Sequence, residues 1–564
     1  MAPGSRAWAA APAATLAVFL LPVVAGTVGT LLPALNHLPA LGALGWSLDP
    51  WRTLAAQPGL ARSVQLSLQI GLLATALSLA IATSWVAWAG ERRAPRWLGR
   101  LGAPLIATPH VALAIGLAFV IAPSGWLVRA VSPALTGWSR PPTDLVTVRD
   151  PWGAAMVLGL ILKEVPYLLL MLGSALHQVP HRALLRSGVA LGYRPATAWF
   201  KLVYPSVHAQ LRLPVYAVLA FSMSSVDVGL ILAPGNPPPL AVLAARWFAD
   251  YDLQRYFPAA AAAVLQGLLV LGALVAWRLG EAVAAVLGRR WCERGRRAGV
   301  PVPASRAGAG LGAACLVLGT SAWTAMALWS VARTWRYAQV LPDAWGLATW
   351  AEQGPRVAAT VATTASLALA SATLALALCI ACLEAEVRRR HVPSARVLWL
   401  LYVPLLVPQI AFLYGFQVVL VRLGWDGHWG AVTWAHLVFV LPYVFLSMAD
   451  PWRALDPRYA RTAAALGVTP WGVLWRLRLP MLLKPLAVAF ATGCAVSVGL
   501  YLPTLFAGAG RVATLTTEAV TLASGADRRI MGVYTFLQSA LPLAAYALAL
   551  ALPALRWRHR RDMA

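Results

Sequence analysis

Three ionisable residues stand inside apolar runs: Lys163 and Glu164 in one, Asp227 in the next. Charge in hydrocarbon is costly, so such groups line a solute path or pair across helices to fix packing. Neighbours on a helix point about 100° apart, so Lys163 and Glu164 need not pair with each other. They are candidate translocation-pathway residues together with Asp227, and a purely structural charge pair is the competing reading. The spacing Cys379-Ile-Ala-Cys382 has the form of a redox or metal motif, but it sits in an Ala/Leu helix and reads as core packing. Lys163, Lys201 and Lys484 are the three lysines, and none follows a glycine, so the phosphate cradle G-x-x-x-x-G-K-[ST] is not possible. With no Ser/His/Asp set or metal-ligand cluster standing out, the chain is not expected to be an enzyme by itself. It is expected to bind no cofactor of its own.

The elements that must hold these residues are membrane helices. Of the 564 residues 60% are hydrophobic and 12% charged, and mean hydropathy is +0.68. Apolar runs of span length recur throughout, which predicts an all-α polytopic membrane protein. Twelve spans are predicted, at 8–32, 64–89, 101–121, 152–176, 213–232 and 258–279, then 307–331, 357–383, 397–421, 431–448, 486–506 and 531–555. The first run follows Arg6 like a signal peptide but is long enough to span, and it reads as an uncleaved first helix. An even number of spans puts both termini on one side. Connections on that side carry 30 Lys and Arg against 14 on the other, which marks it as cytoplasmic. The net charge of +26 is thus spread over short loops, and a nucleic-acid partner is not indicated. None of the five cysteines falls in an extracytoplasmic loop of this topology, so no disulfide framework is implied. Trp46, Trp51, Trp126, Trp138 and Trp247 read as an interfacial aromatic belt, with a sugar or cation site as the alternative.

Two polar stretches on the cytoplasmic side share one spacing. Gly192 is followed by Pro195, Phe200, Lys201, Leu202 and Pro205; 275 positions on, Gly467 is followed by Pro470, Trp475, Arg476, Leu477 and Pro480. Gly suits a turn needing φ > 0, and Pro suits the first turn of the next helix. That helix, from Pro195 to about Leu202 or from Pro470 to about Leu477, is predicted to present aromatic anchors with a basic rim to a groove on a partner protein. Lying on lipid headgroups is the alternative. Further echoes, Pro166-Tyr167 with Pro442-Tyr443 and Pro109-His110-Val111-Ala112 with Pro408-Gln409-Ile410-Ala411, indicate a duplicated unit. The predicted division is 1–288, a basic linker 289–306, and 307–564, with the polar loops at about 177–212 and 450–484.

These loops resemble the cytoplasmic loop E-A-A-x3-G-x9-I-x-L-P of permease subunits in binding-protein-dependent ABC importers. Gly192 and Gly467 fall on its Gly, Leu202 and Leu477 on its Ile, Pro205 and Pro480 on its last Pro. The chain departs from the pattern at Arg186 and Arg461, where the family has Glu, and at Tyr204, where it has Leu. The resemblance implies two tandem six-helix type I importer repeats in a bacterial inner membrane. It further implies two copies of a separate ATPase, which uses the ATP and Mg, docked on the two loops, and a periplasmic or lipid-anchored solute-binding protein. The run Tyr501-Leu502-Pro503 through Thr504–Arg511 and Thr514–Glu518 resembles fused permeases grouped with thiamine and ferric-iron transporters. Glu518 and Asp227 would suit a cation, Arg511 and Arg528 an anion. A proton-coupled twelve-helix carrier is a rival; its Gly-Asp-Arg signature is missing from Gly90–Arg96. A membrane scaffold without transport is another.

Overall fold

The computed structural model of the chain describes residues 3–89, 104–295, 297, 302–389, 399–525 and 527–556. Among these residues nine helices are long and apolar enough to cross a membrane, eleven if each of two bent pairs is one crossing. This is the all-α polytopic membrane fold expected from the apolar runs. The Gly90–Arg96 stretch, residues 101–103 and 397–398 of the third and ninth expected spans, and linker residues 296 and 298–301 lie outside the described residues.

The chain opens with α1 Pro3–Ala34, α2 Leu60–Ala89, α3 His110–Ile121 and α4 Ala154–His177. Then α5, His181–Ala190, turns into α6, Pro195–Ser224, and a 51° bend leads to α7, Val226–Leu232. A short buried α8, Leu240–Phe248, and a long α9, Tyr256–Glu293, follow. A matching series comes next: α10 Val302–Val331, α11 Ala348–Arg389, α12 Ile410–Arg422, α13 Trp429–Ala454 and α14 Pro457–Ala465. It ends with α15 Pro470–Met481, α16 Leu483–Val498, α17 Leu502–Gly508, α18 Leu515–Leu522 and α19 Arg528–Arg556. A small ribbon, β1 Ala332–Thr334 with β2 Ala344–Trp345, follows α10. The stretch 289–306 is not all loop, since it starts inside α9 and ends inside α10.

Several expected spans are interrupted. Pro109 and Pro408 precede α3 and α12, because proline lacks the N–H and disfavours helix in the residue before it. Two other spans break at Ser225 and at 499–501. Within a membrane the carbonyls so released need a donor. Gln266 of α9, fully buried, donates to Met223 O at 3.0 Å. At the matching point Gln538 of α19 donates to Thr516 Oγ1 at 2.6 Å, and that hydroxyl donates to Val498 O. The buried helices α8 and α18, which the expected spans omit, are seated alike: Leu240 N donates to Ser67 Oγ and Leu515 N to Thr364 Oγ1, each at 2.9 Å.

The first helix of each series packs on the other series, α1 against α12 and α11, α10 against α2 and α3. Glycines permit the approach. A Cβ at Gly415 would lie 1.9 Å from Gly26 O, and one at the corresponding Gly116 2.6 Å from Ala322 O. Gly415→Leu should therefore push α1 away and lower stability by about 1–3 kcal/mol or more. Thermal unfolding of the purified protein in detergent reads this; an unchanged midpoint would mean that the α1–α12 contact contributes nothing.

Away from the polar loops the two series are also tied. Arg528 at the start of α19 donates to Ser124 O and Oγ at 3.0 and 2.6 Å, just past α3. Beside it the Arg529 side chain donates to Asp527, which holds that carboxyl below the usual carboxylate range. Of the tryptophans expected in an aromatic belt, Trp46 is 65% exposed, but Trp247 is 7% exposed and belongs to the core, because it lies on buried α8.

Candidate functional site

The two polar loops are built alike. Gly192 (φ +84°) and Gly467 (φ +81°) each follow a helix end and adopt the left-handed conformation. Gly192 N donates to Val189 O and Tyr193 N to Gly188 O, at 2.9 and 3.1 Å; Gly467 N and Val468 N donate to Ala464 O and Ala463 O, each at 3.0 Å. This is the Schellman closure, which satisfies the last carbonyls of α5 and α14. Pro195 and Pro470 then open the next helix. Trp199–Val203 and Leu474–Arg478 widen into a π-turn that ends two residues before Pro205 and Pro480. The wider turn accommodates a proline where an ordinary turn would meet its ring.

The spacing predicts helices from Pro195 and Pro470 that are short and free to enter a partner. Instead the first runs continuously into the α6 span and is packed into the protein. Trp199 is 1% exposed beneath an edge-on Phe200 (centroids 4.9 Å apart), and Leu202 lies against Gly188. Lys201 Nζ sits between the rings of Tyr193 and Trp291, 4.8 and 4.7 Å away, and donates to Trp291 O at 3.1 Å. The chain presents the turns instead: Val189 and Leu191 are 48% and 61% exposed, Leu466 79%. The second loop adds exposed Trp471 and Trp475, packed edge to face at 5.7 Å, with exposed Arg476. Leu477 and Pro480 are half-buried, and Pro205 is exposed. Arg186 and Arg461 lie exposed on α5 and α14. Both loops thus combine apolar tips with arginines, and behind the second a buried Glu384 of α11 receives Arg388 at 2.8 Å and Arg478 of the π-turn.

Within the spans, Lys163 and Glu164 part company as their spacing predicts. Lys163 Nζ donates to Leu105 O at 3.1 Å, to Thr108 O at 2.5 Å and to Ile106 O, the carbonyls left open where Pro109 interrupts the third span. It caps a break in the third span. Glu164, buried, places Oε1 3.4 Å from His110 Nε2, and His110 packs on Phe221 at 4.4 Å. Tyr167 and Tyr443, on matching places of α4 and α13, lie near Glu164, and Tyr402 lies near both tyrosines. Asp227 stands just past the Ser225 bend and accepts from Ser225 Oγ at 2.7 Å; Tyr501, at the matching break, interacts with it. Reading the sequence for charges inside spans misses His110 and the four tyrosines. Their signal is the repeated Pro-Tyr pair and the His110/Gln409 echo, which by themselves mark only duplication. His436 of α13 is missed too: buried, it bonds Ser497 and Thr504 on the two sides of the second break, at 2.7 and 2.8 Å. The arginines weighed for an anion are engaged elsewhere, Arg511 by Asp426 and Arg528 by Ser124. Cys379 and Cys382 are buried thiols, the latter donating to Thr15 Oγ1 at 3.3 Å.

Bent apolar helices that hold buried polar groups, joined by paired turn-and-helix loops, suit a membrane transport component. The family described as binding-protein-dependent transport system inner membrane component matches residues 374–556. The inner membrane ABC transporter permease protein YnjC of Escherichia coli is 32% identical over 543 residues, covering 94% of this chain and 95% of that one. The thiamine transport system permease protein ThiP of E. coli is 26% identical over 497 residues, 85% of this chain and 86% of that one. The molybdenum transport system permease protein ModB of Mycobacterium tuberculosis is 35% identical over 149 residues, 23% of this chain and 54% of that one. The chain belongs to the permease family of binding-protein-dependent ABC importers. It is the multi-pass membrane component of such an importer, which also comprises an ATPase and a solute-binding protein.

Proposed function

We propose that this permease moves an organic cation of the thiamine type inward, driven by two copies of a separate ATPase seated on the turns at Gly192 and Gly467. The observation that carries the docking part is the duplicated Schellman turn with its apolar, arginine-flanked tip. Exposed arginines at 186, 461 and 476 suit an acidic rim on the ATPase groove. The ATPase uses ATP and Mg; this chain contributes no catalytic group. Residues 1–288 and 307–564 act as two repeats joined by 289–306, with both termini and both loops on the cytoplasmic side of a bacterial inner membrane. Closure of the ATPases draws the loops together and rocks the repeats from inward- to outward-open, while a periplasmic or lipid-anchored binding protein delivers solute on the other side.

The solute reading rests on the centre. Glu164 and Asp227 bring carboxylates, the tyrosines bring aromatic faces, and the ammonium of Lys163 is turned to backbone carbonyls. Carboxylates among aromatic rings suit a soft organic cation, which aromatic faces also attract, better than ferric iron. The 26% identity with a thiamine permease supports the same choice. The test is ATP-dependent thiamine uptake into proteoliposomes holding the permease with its ATPase and binding protein. Asp227→Asn should lower uptake at least tenfold at unchanged abundance, as loss of one charge contact of about 1.4 kcal/mol implies. Unchanged uptake would remove Asp227 from the path, and uptake of another solute in place of thiamine would overturn the substrate.

A further inference from the structure

The lipid-facing side of α1 bears an apolar stripe, with Leu21, Val24 and Val28 56%, 60% and 50% exposed. Where this helix passes α12, a crevice of about 300 Å³ opens between them, lined by Leu32 and Pro33 on one side and Val418 and Val419 on the other. Its rim carries His37 and Arg422. Arg422 ends α12, at the end of the molecule away from the docking turns; it is exposed and makes no hydrogen bond or ion pair among the described residues. His37 stacks on Trp46 at 4.7 Å and uses Nδ1 on Leu44 O at 3.2 Å, which leaves Nε2 for the crevice. Exposed Trp425 and Trp429 just beyond α12 mark the headgroup level there.

The matching position in the other series is filled. Gly116 meets Ala322 as Gly415 meets Gly26. Seven residues beyond, α10 has Trp329 where α1 has Pro33, and three beyond the glycine α3 has Phe119 where α12 has Val418. The rings of Phe119 and Trp329 are 6.0 Å apart, Trp335 lies 4.5 Å from Trp329, and Arg129 covers them both. One of two equivalent crevices is therefore closed by side chains and the other open to the bilayer, with an unengaged cation at headgroup depth.

We propose that the open crevice binds one anionic glycerophospholipid of the surrounding bilayer, an acyl chain between α1 and α12 and the phosphate on Arg422 with His37 beside it. The apolar walls take the chain, and the guanidinium reads the anionic headgroup. This does not depend on the solute. The test is native mass spectrometry of the full-length permease in mild detergent, titrated with phosphatidylglycerol or with phosphatidylcholine. One phosphatidylglycerol should be retained about fivefold better than phosphatidylcholine, the preference one arginine near a headgroup confers. Arg422→Gln should remove the preference, and Val419→Trp, which fills the crevice, should remove retention itself. Should Val419→Trp fail to accumulate, Arg422→Gln at its exposed helix end carries the test. Equal retention of both lipids by the unaltered protein, an undiminished preference in Arg422→Gln, or displacement of the lipid by excess inorganic phosphate would overturn the proposal.

Discussion

Replacing Gly192 and Gly467 together with valine is expected to release the ATPase while the permease still inserts and accumulates. At φ of +84° and +81° a Cβ collides with the following carbonyl, a cost of about 1–2 kcal/mol for an ordinary residue and more for a β-branched one. The turn relieves that strain by opening the Schellman bonds, which swings Val189 and Leu191, or Leu466, away from the partner. Each loop should lose about tenfold in association and the pair about a hundredfold, since the two turns do not touch. Nothing lies within 4 Å of a Cβ at Gly467, so there the effect is purely conformational; at Gly192 the Arg297 side chain stands 3.3 Å away and adds a contact. Asparagine tolerates the left-handed conformation and should restore most of the binding. The measurement is affinity purification from the protein's own host with identification of the co-purifying P-loop ATPase. Full recovery of the ATPase with the valine pair would end the docking reading.

Glu384→Ala should be the most destabilising single change near the two polar loops. Its carboxylate, 2% exposed, receives Arg388 at 2.8 Å together with Arg478, itself 11% exposed. Removing one member of a buried ion pair leaves a cation without its counter-charge, at about 3–5 kcal/mol. Because Arg478 belongs to the π-turn of the second loop, the loss should also loosen that loop from α11, so ATPase association should fall with the melting midpoint. Glu384→Gln keeps the shape and should cost less, retaining hydrogen bonds but not the charge. A midpoint within a degree of the unaltered protein for the alanine variant would show that water already compensates Arg478.

Much of the fold and of the geometry of the two polar loops is legible in the sequence because its causes are local. Apolar runs of span length oblige helices, and a glycine followed three residues on by proline obliges a turn and a new helix start, whatever surrounds them. The left-handed turns at Gly192 and Gly467 are therefore identifiable at their positions. The orientation of the aromatics after them is not, because Trp199 is buried by α2 and α4 whereas Trp475 is not, and no spacing distinguishes the two. The same holds for the charged residues. That Lys163 and Glu164 diverge follows from helical geometry, but that Lys163 serves three carbonyls depends on Pro109 lying more than fifty residues earlier and folding back beside it.

By itself the sequence determined the class: an all-α polytopic membrane protein with duplicated turns of one spacing, because hydrophobic length, charge asymmetry and backbone conformational demands are properties of short segments. Only the tertiary structure decided that α1 and α10 change sides, that Gln266 and Gln538 serve the broken spans, and that tyrosines from both series gather near Glu164 and Asp227. Each of these is a contact between residues far apart in the chain, chosen by which unsatisfied carbonyl, close glycine face or buried charge the packing leaves opposite them.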